Sequence, residues 1–319
     1  MIRSILKIYL IKMLSHKKKK ILFIGESPML LNCMLHSLKF FNDIVVVTKD
    51  KKIKKEIPKK IKIKSNINKI DINEFDYLFS VMNKEIINKR ILSNKNILCL
   101  NFHDAYLPVY AGLFSSTWSI LNDENYHGAT WHKITSELDR GDILLRKSFK
   151  IKKNDTAMMI DNNSTMIGFF LFKKIIDKIY KNKKLTFFKQ NKKKFKYYGS
   201  KHRLKIPNYG FINFKDKLND IIKLNRALTF SPQKNRKICK LKLFTNIGTL
   251  IIKKIEFYEN KINYQNYKQV IDIKSNYFVV KKQNKYIKII LEKKIKKKIK
   301  IILFKKENLK KYLSYGLKL

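Results

Sequence analysis

The stretch Asn101-Phe102-His103-Asp104-Ala105-Tyr106-Leu107-Pro108, continued by Tyr110-Ala111-Gly112, sets an amide and an imidazole two residues apart where an apolar run, Ile97 to Leu100, ends. On extended backbone such residues point to one side. An amide N–H and a protonated imidazole aimed at one point stabilise negative charge developing on an oxygen. The pattern is short, and its bland alternative is a loop histidine satisfied by a neighbouring carbonyl. A second cluster shifts the balance: His127-Gly128-Ala129-Thr130-Trp131-His132, then Leu138-Asp139-Arg140-Gly141-Asp142-Ile143-Leu144. Asp139 lies 38 residues after Asn101 and precedes another apolar run. A carboxylate returned to the same sheet edge can pair with His103 and hold its orientation.

The elements that position these residues follow from periodicity. Ile21 to Ile24, ending at Gly25, has the form of a strand buried on both faces. Leu30, Leu31, Met34, Leu35 and Leu38 recur at helical spacing, and Ile44 to Val47 is a second apolar run. This is a βαβ unit, which implies a parallel sheet. The turn Gly25-Glu26-Ser27-Pro28 lacks the glycine spacing of a dinucleotide loop, which disfavours NAD. Strands are predicted at 77–81, 97–102, 129–134 and 143–151, with helices over 115–121 and after Asn154-Asp155-Thr156. In an open parallel sheet, ligands bind at the strand C-termini, where Asn101 and His103 fall. The basic, Gly-poor stretch from Lys181 to Lys196 reads as a connector, and beyond it alternating strands continue to Phe304, as in a small β-barrel. The expected organisation is an extension over 1–18, a catalytic domain over 19–185, a basic linker over 186–204 and a β-rich domain over 205–319.

Composition bounds the partners. The 319 residues carry 72 Lys and Arg against 24 Asp and Glu, a formal net charge of +48, yet only seven of the basic residues are Arg. Surfaces built for specific phosphate or guanine contacts recruit Arg's planar fork. The abundance of Lys, Ile, Asn, Phe and Tyr matches an AT-rich genome, so part of the excess reads as drift on solvated faces. The remainder can attract tRNA or another polyanion. Cys33, Cys99 and Cys239 are widely spaced and odd in number, which argues against a disulfide scaffold or zinc site and fits a reducing, cytoplasmic compartment. His127 and His132 without a third ligand nearby make a poor metal site, and none is expected. Met1 to His16 is interrupted by Lys7 and Lys12, resembles neither a signal peptide nor a membrane anchor, and leaves Met13 as an alternative start.

Taken together, Asn-Phe-His-Asp-x-x-Leu-Pro-x-Tyr-x-Gly, Trp118-Ser119-Ile120-Leu121-Asn122, Gly-x-Thr-x-His and Asp-x-Gly-Asp-Ile-Leu resemble the folate-dependent formyltransferase family over residues 19 to 185. Weaker similarity continues through Ile212-Asn213-Phe214 and Asn225-Arg226-Ala227-Leu228. The resemblance implies a Rossmann-like, mostly parallel α/β sheet followed by a small β-barrel domain, and transfer of a formyl group from 10-formyltetrahydrofolate to a primary amine. Its catalytic Asn, His and Asp fall on Asn101, His103 and Asp139. The pterin is expected against Ser80, Val81, Met82 and Asn83 and against Leu138, Gly141 and Asp142, held largely by backbone. His132 reads as a strand residue behind the site. Ala105 and Val109 depart from the serine and basic residue of many relatives, which leaves the acceptor open. Methionyl-tRNA is the first expectation. Carrier-bound aminoacyl groups, nucleotide amino sugars, hydrolysis with water as acceptor, and a non-catalytic RNA-binding role are the alternatives.

Overall fold

The computed structural model describes residues 19–194, 197–198, 205–230, 239–246, 248–259, 276–282 and 285–293. The predicted strand-like run between 294 and Phe304 and the extension over 1–18 lie outside these.

Strands β1 (Ile21–Gly25), β2 (Ile44–Val47), β3 (Lys62–Lys64), β4 (Tyr77–Val81), β5 (Leu98–His103), β7 (Tyr126–Lys133) and β8 (Ile143–Lys150) form a seven-stranded sheet in the order β3-β2-β1-β4-β5-β7-β8. The first five pair in parallel, and β7 and β8 add antiparallel strands at one edge. Short apolar runs become central strands here because both faces are covered. On one face Phe23, Phe79, Trp131 and Phe172 pack ring against ring, with centroids 5.1–5.9 Å apart. Phe172 belongs to α5 (Ala157–Tyr180), whose first turn is capped by the Thr156 hydroxyl accepting from the Met159 amide. On the other face Leu22, Ile24, Leu78 and Cys99 pack with Ile72, Phe75 and Ile91.

Helix α1 (Pro28–Ser37) follows β1 through Ser27, whose side chain accepts the Leu30 N–H, with Pro28 at the first helical position. The basic segment from Lys49 to Lys64 carries regular structure. Asp50 caps α2 (Lys51–Glu56), and β3 then pairs with β2. Helices α3 (Lys89–Leu92) and α4 (Ser115–Leu121) complete the region before β7. Short β6 (Ala111–Gly112) pairs in parallel with β9 (Tyr197–Tyr198).

The chain divides into two units, one of Met1–Ser115, Asn125–Ile151 and Asp161–Tyr198, the other of Ser116–Glu124, Lys152–Ile160 and Gly199–Leu319. In the second, helix α6 (Leu218–Leu228) buries Leu218, Ile221, Leu224, Ala227 and Leu228 along one stripe. Thr117 donates to the Ala227 carbonyl at 2.9 Å, and Arg226 Nε to the Asp155 carbonyl at 2.8 Å. Strands β10 (Lys242–Thr245), β11 (Gly248–Glu259), β12 (Tyr277–Lys282) and β13 (Lys285–Leu291) form an antiparallel sheet ordered β10-β11-β13-β12. The α/β fold with a mostly parallel sheet and a separate antiparallel sheet is thus the one expected. Among the described residues, no helix is long and apolar enough to cross a membrane.

Candidate active site

The register of β5 against its neighbours assembles the site. Ser80 on β4 and His132 on β7 are the partners of Asn101 on either side. Asn101 Nδ2 lies 3.2 Å from His132 Nε2, and His132 Nδ1 lies 2.7 Å from the Lys133 carbonyl. A carbonyl only accepts, so Nδ1 carries a hydrogen and donates to it, while Nε2 is turned to the Asn101 amide. The Asn101 amide nitrogen is the end turned to His132, and it carries a second N–H.

His103, buried at the end of β5, donates through Nε2 to the Tyr110 carbonyl at 2.8 Å. Its other nitrogen, Nδ1, faces Asp139 Oδ2 at 3.7 Å. When protonated, the ring therefore has an oxygen on each side. Asp139 is the hub. It is 7% exposed, Oδ2 accepts the Gly112 N–H at 2.8 Å, and Oδ1 lies 3.5 Å from His132 Nε2. Burial by itself pushes the Asp139 carboxyl toward the neutral form. His103, His132 and the Gly112 N–H outweigh it and hold the group well below the usual carboxylate range. The arrangement supplies an amide donor and an imidazole beside a carboxylate that is held ionised.

The loop from Asp104 to Gly112 is pinned at several backbone groups that precede Pro108. His127 Nε2 and the Ser115 hydroxyl both donate to the Asp104 carbonyl, at 2.8 and 2.9 Å. Thr130 Oγ1 donates to the Ala105 carbonyl at 2.7 Å and accepts the Leu107 N–H at 3.1 Å. Arg146, the cross-strand partner of Thr130, donates to the Leu107 carbonyl and lies over the Tyr106 ring at 4.3 Å. This scaffolding fixes the Tyr110 carbonyl and the Gly112 amide.

The residues expected at the pterin divide by role. Ser80 and Val81 are buried at the end of β4, and Met82 turns the chain at φ 52. Both ends of the Asn83 amide are used inside its own loop, on the carbonyl and the N–H of Glu85 at 2.6 and 3.1 Å. Asp142 lies 3.9 Å from Lys133, Leu138 is exposed, and a Cβ on Gly141 would come within 1.9 Å of the Lys133 carbonyl oxygen. The Asn83 and Asp142 side chains are thus engaged within the protein, while Leu138 faces outward. His132 lies on strand β7, as expected, with its ring turned to the site. It touches both Asn101 and Asp139. Its alternation in a strand carries no local signal, whereas the β5–β7 register does. His127 is a loop anchor, and Trp131 belongs to the core, its Nε1 donating to the Gly168 carbonyl at 2.8 Å.

Residues 19–167 match the family model described as formyl transferase. The domain over these residues belongs to the formyltransferase family. The chain is 27% identical over 235 residues to the bifunctional polymyxin resistance protein ArnA of Wigglesworthia glossinidia brevipalpis, covering 72% of this chain and 33% of that relative. It is 29% identical over 263 residues to the methionyl-tRNA formyltransferase of Malacoplasma penetrans, covering 74% of this chain and 79% of the relative. Among solved structures, WlaRD, a sugar 3N-formyl transferase crystallised in the presence of dTDP and 5-N-formyl-tetrahydrofolate, superimposes with a TM-score of 0.59 at 26% identity, over 88% of this chain and 99% of that one. The matched formyltransferase domain contains both motif clusters and so the whole Asn101, His103, His132 and Asp139 group.

Proposed function

We propose that this chain transfers a formyl group from 10-formyltetrahydrofolate to a primary amine, with Asn101, His103 and Asp139 as catalytic residues. The observation that carries the reading is the buried cluster in which Asp139 stands between two histidines while Asn101 is oriented by His132. The amine nitrogen attacks the formyl carbon and forms a C–N bond, and the carbonyl π pair moves to oxygen. The second Asn101 N–H stabilises that oxygen, a contribution of about 3 kcal/mol, and protonated His103, whose ring nitrogens face Tyr110 and Asp139, adds its positive charge beside it. Collapse of the tetrahedral species breaks the bond to N10 of the folate, which takes a proton as it leaves. Asp139 helps remove the proton lost from the amine, directly or through water, and that proton is the one passed on to N10. Ser80 to Asn83 and the 138–142 turn would hold the pterin through main-chain groups. His132 sets the amide of Asn101 and shares the charge of Asp139.

For the acceptor we propose methionyl-tRNA. The alignment with a methionyl-tRNA formyltransferase runs over most of both chains, and a net charge of +48 suits a polyanionic substrate. A nucleotide-linked amino sugar is the second reading, supported by the likeness to WlaRD over nearly its whole length. A folate donor and free thiols suit a cytoplasmic enzyme. The test is transfer from labelled 10-formyltetrahydrofolate with methionyl-tRNA and a dTDP-amino sugar offered separately, at low and high salt. The tRNA reading expects label in methionyl-tRNA, with KM rising steeply with salt. Label in the sugar alone would overturn that choice of acceptor. Label in neither, with the free amines also unreactive, would overturn formyl transfer itself.

A further inference from the structure

The backbone of Asp139 lies in the left-handed region, at φ 54, where side-chain-bearing residues are uncommon and need support from their surroundings. That support comes from a stretch that reads in the sequence as a basic connector. Phe188 exchanges two backbone hydrogen bonds with Ile143, at 2.8 and 3.0 Å, which fixes the segment against the start of β8. Two residues on, Gln190 Nε2 donates to the Asp139 carbonyl at 2.7 Å and to the Gly141 carbonyl at 2.8 Å. Both amide hydrogens are thus spent on one turn. Gln190 Oε1, by contrast, is buried with no hydrogen-bond partner among the described residues. A carboxamide that leaves its acceptor buried and unmatched to aim its donors this way is oriented by the two carbonyls.

We infer that Gln190 is a positioning residue for Asp139: by tying the carbonyls of residues 139 and 141 together, it holds the left-handed turn that sets the Asp139 carboxylate on the Gly112 N–H and between His103 and His132. Without it, the turn is free to relax toward ordinary φ, and Asp139 Oδ2 leaves the Gly112 amide. The inference rests on the reading of Asp139 as the active-site carboxylate, but its first test does not need turnover.

Hydrogen exchange at the Gly112 amide reports the Asp139 contact directly. Gln190→Ala and Gln190→Glu, the second of which cannot donate to a carbonyl, are both expected to speed exchange there by about tenfold or more, while the amides of β1 and β4 keep their wild-type rates. Unchanged exchange at Gly112 in both variants would overturn the inference. So would equal acceleration throughout the sheet, which would make Gln190 a general structural residue. A double-mutant cycle gives the second test. Gln190→Ala is expected to lower kcat by about 10- to 100-fold in the wild-type background, with a smaller effect on the KM for the folate donor. In an Asp139→Asn background the same change should cost less than about threefold. Fully additive losses would contradict action through Asp139. A wild-type protein that transfers no formyl group would sink the functional reading, while the exchange experiment would still decide the role of Gln190.

Discussion

The four histidine and carboxylate side chains around the β5–β7 edge have different tasks, and their surroundings show which is which. His103 and His132 face Asp139, whereas His127 donates through Nε2 to the Asp104 carbonyl and packs beside the rings of Tyr110 and Phe149. Burial pushes the His127 imidazole down from 6.5 to about 4, against a smaller opposing pull from Asp104. The folded protein therefore holds this ring neutral where the unfolded chain protonates it. Stability from this group is full above about pH 6.5 and declines as pH falls toward 4, by up to about 3 kcal/mol. Denaturant titrations of His127→Gln should lack that decline between pH 6.5 and 4, and an unchanged slope would contradict it. Asp139, held in its charged form, loses its contribution only below the usual carboxylate range, so the two effects occupy separate pH windows. Asn101, His103 and Asp139 were legible in sequence because each stands in a distinctive local motif. His132 and Gln190 were not, because their importance comes from strand register and from a tertiary crossing.

At the scale of elements, the sheet edge is held in place by close packing behind it. Gly168 lies within α5, and a Cβ added there would come 2.1 Å from a ring carbon of Phe102, the residue between Asn101 and His103. In an open helix, Gly→Ala gains about 1 kcal/mol. Here overpacking should cost about 1–3 kcal/mol, so the balance reverses. Gly168→Ala is expected to lower Tm, and a raised Tm would show that the helix and strand can separate freely. The βαβ start, the strand ends and the cap of α5 were readable from periodicity and turn chemistry. The antiparallel edge of β7 and β8 and the pairing of β2 with β3 were not, because pairing direction is a long-range property. A Lys-rich stretch gives no local warning that Gln190, within it, bonds to the turn of Asp139.

Across the whole molecule, charge is the least decisive feature and the chemical site the most. Sixty-five lysines create a positive field that concentrates any polyanion, but they do not choose among amines. Exposed ion pairs such as Lys84–Glu26 at 2.7 Å contribute little to stability. The buried group of Asn101, His103, His132 and Asp139 makes the narrower claim, since a structural cluster has no need of an amide, an imidazole and a carboxylate facing one strand end. The measurement that tests this most directly is the single-turnover rate of formyl transfer from 10-formyltetrahydrofolate in the wild type beside His103→Ala, with folate binding measured in both. The expected result is transfer in the wild type and a loss of about 100- to 1,000-fold in the variant, with donor binding changed little. Equal rates in the two proteins would contradict the assignment of this cluster as the catalytic centre.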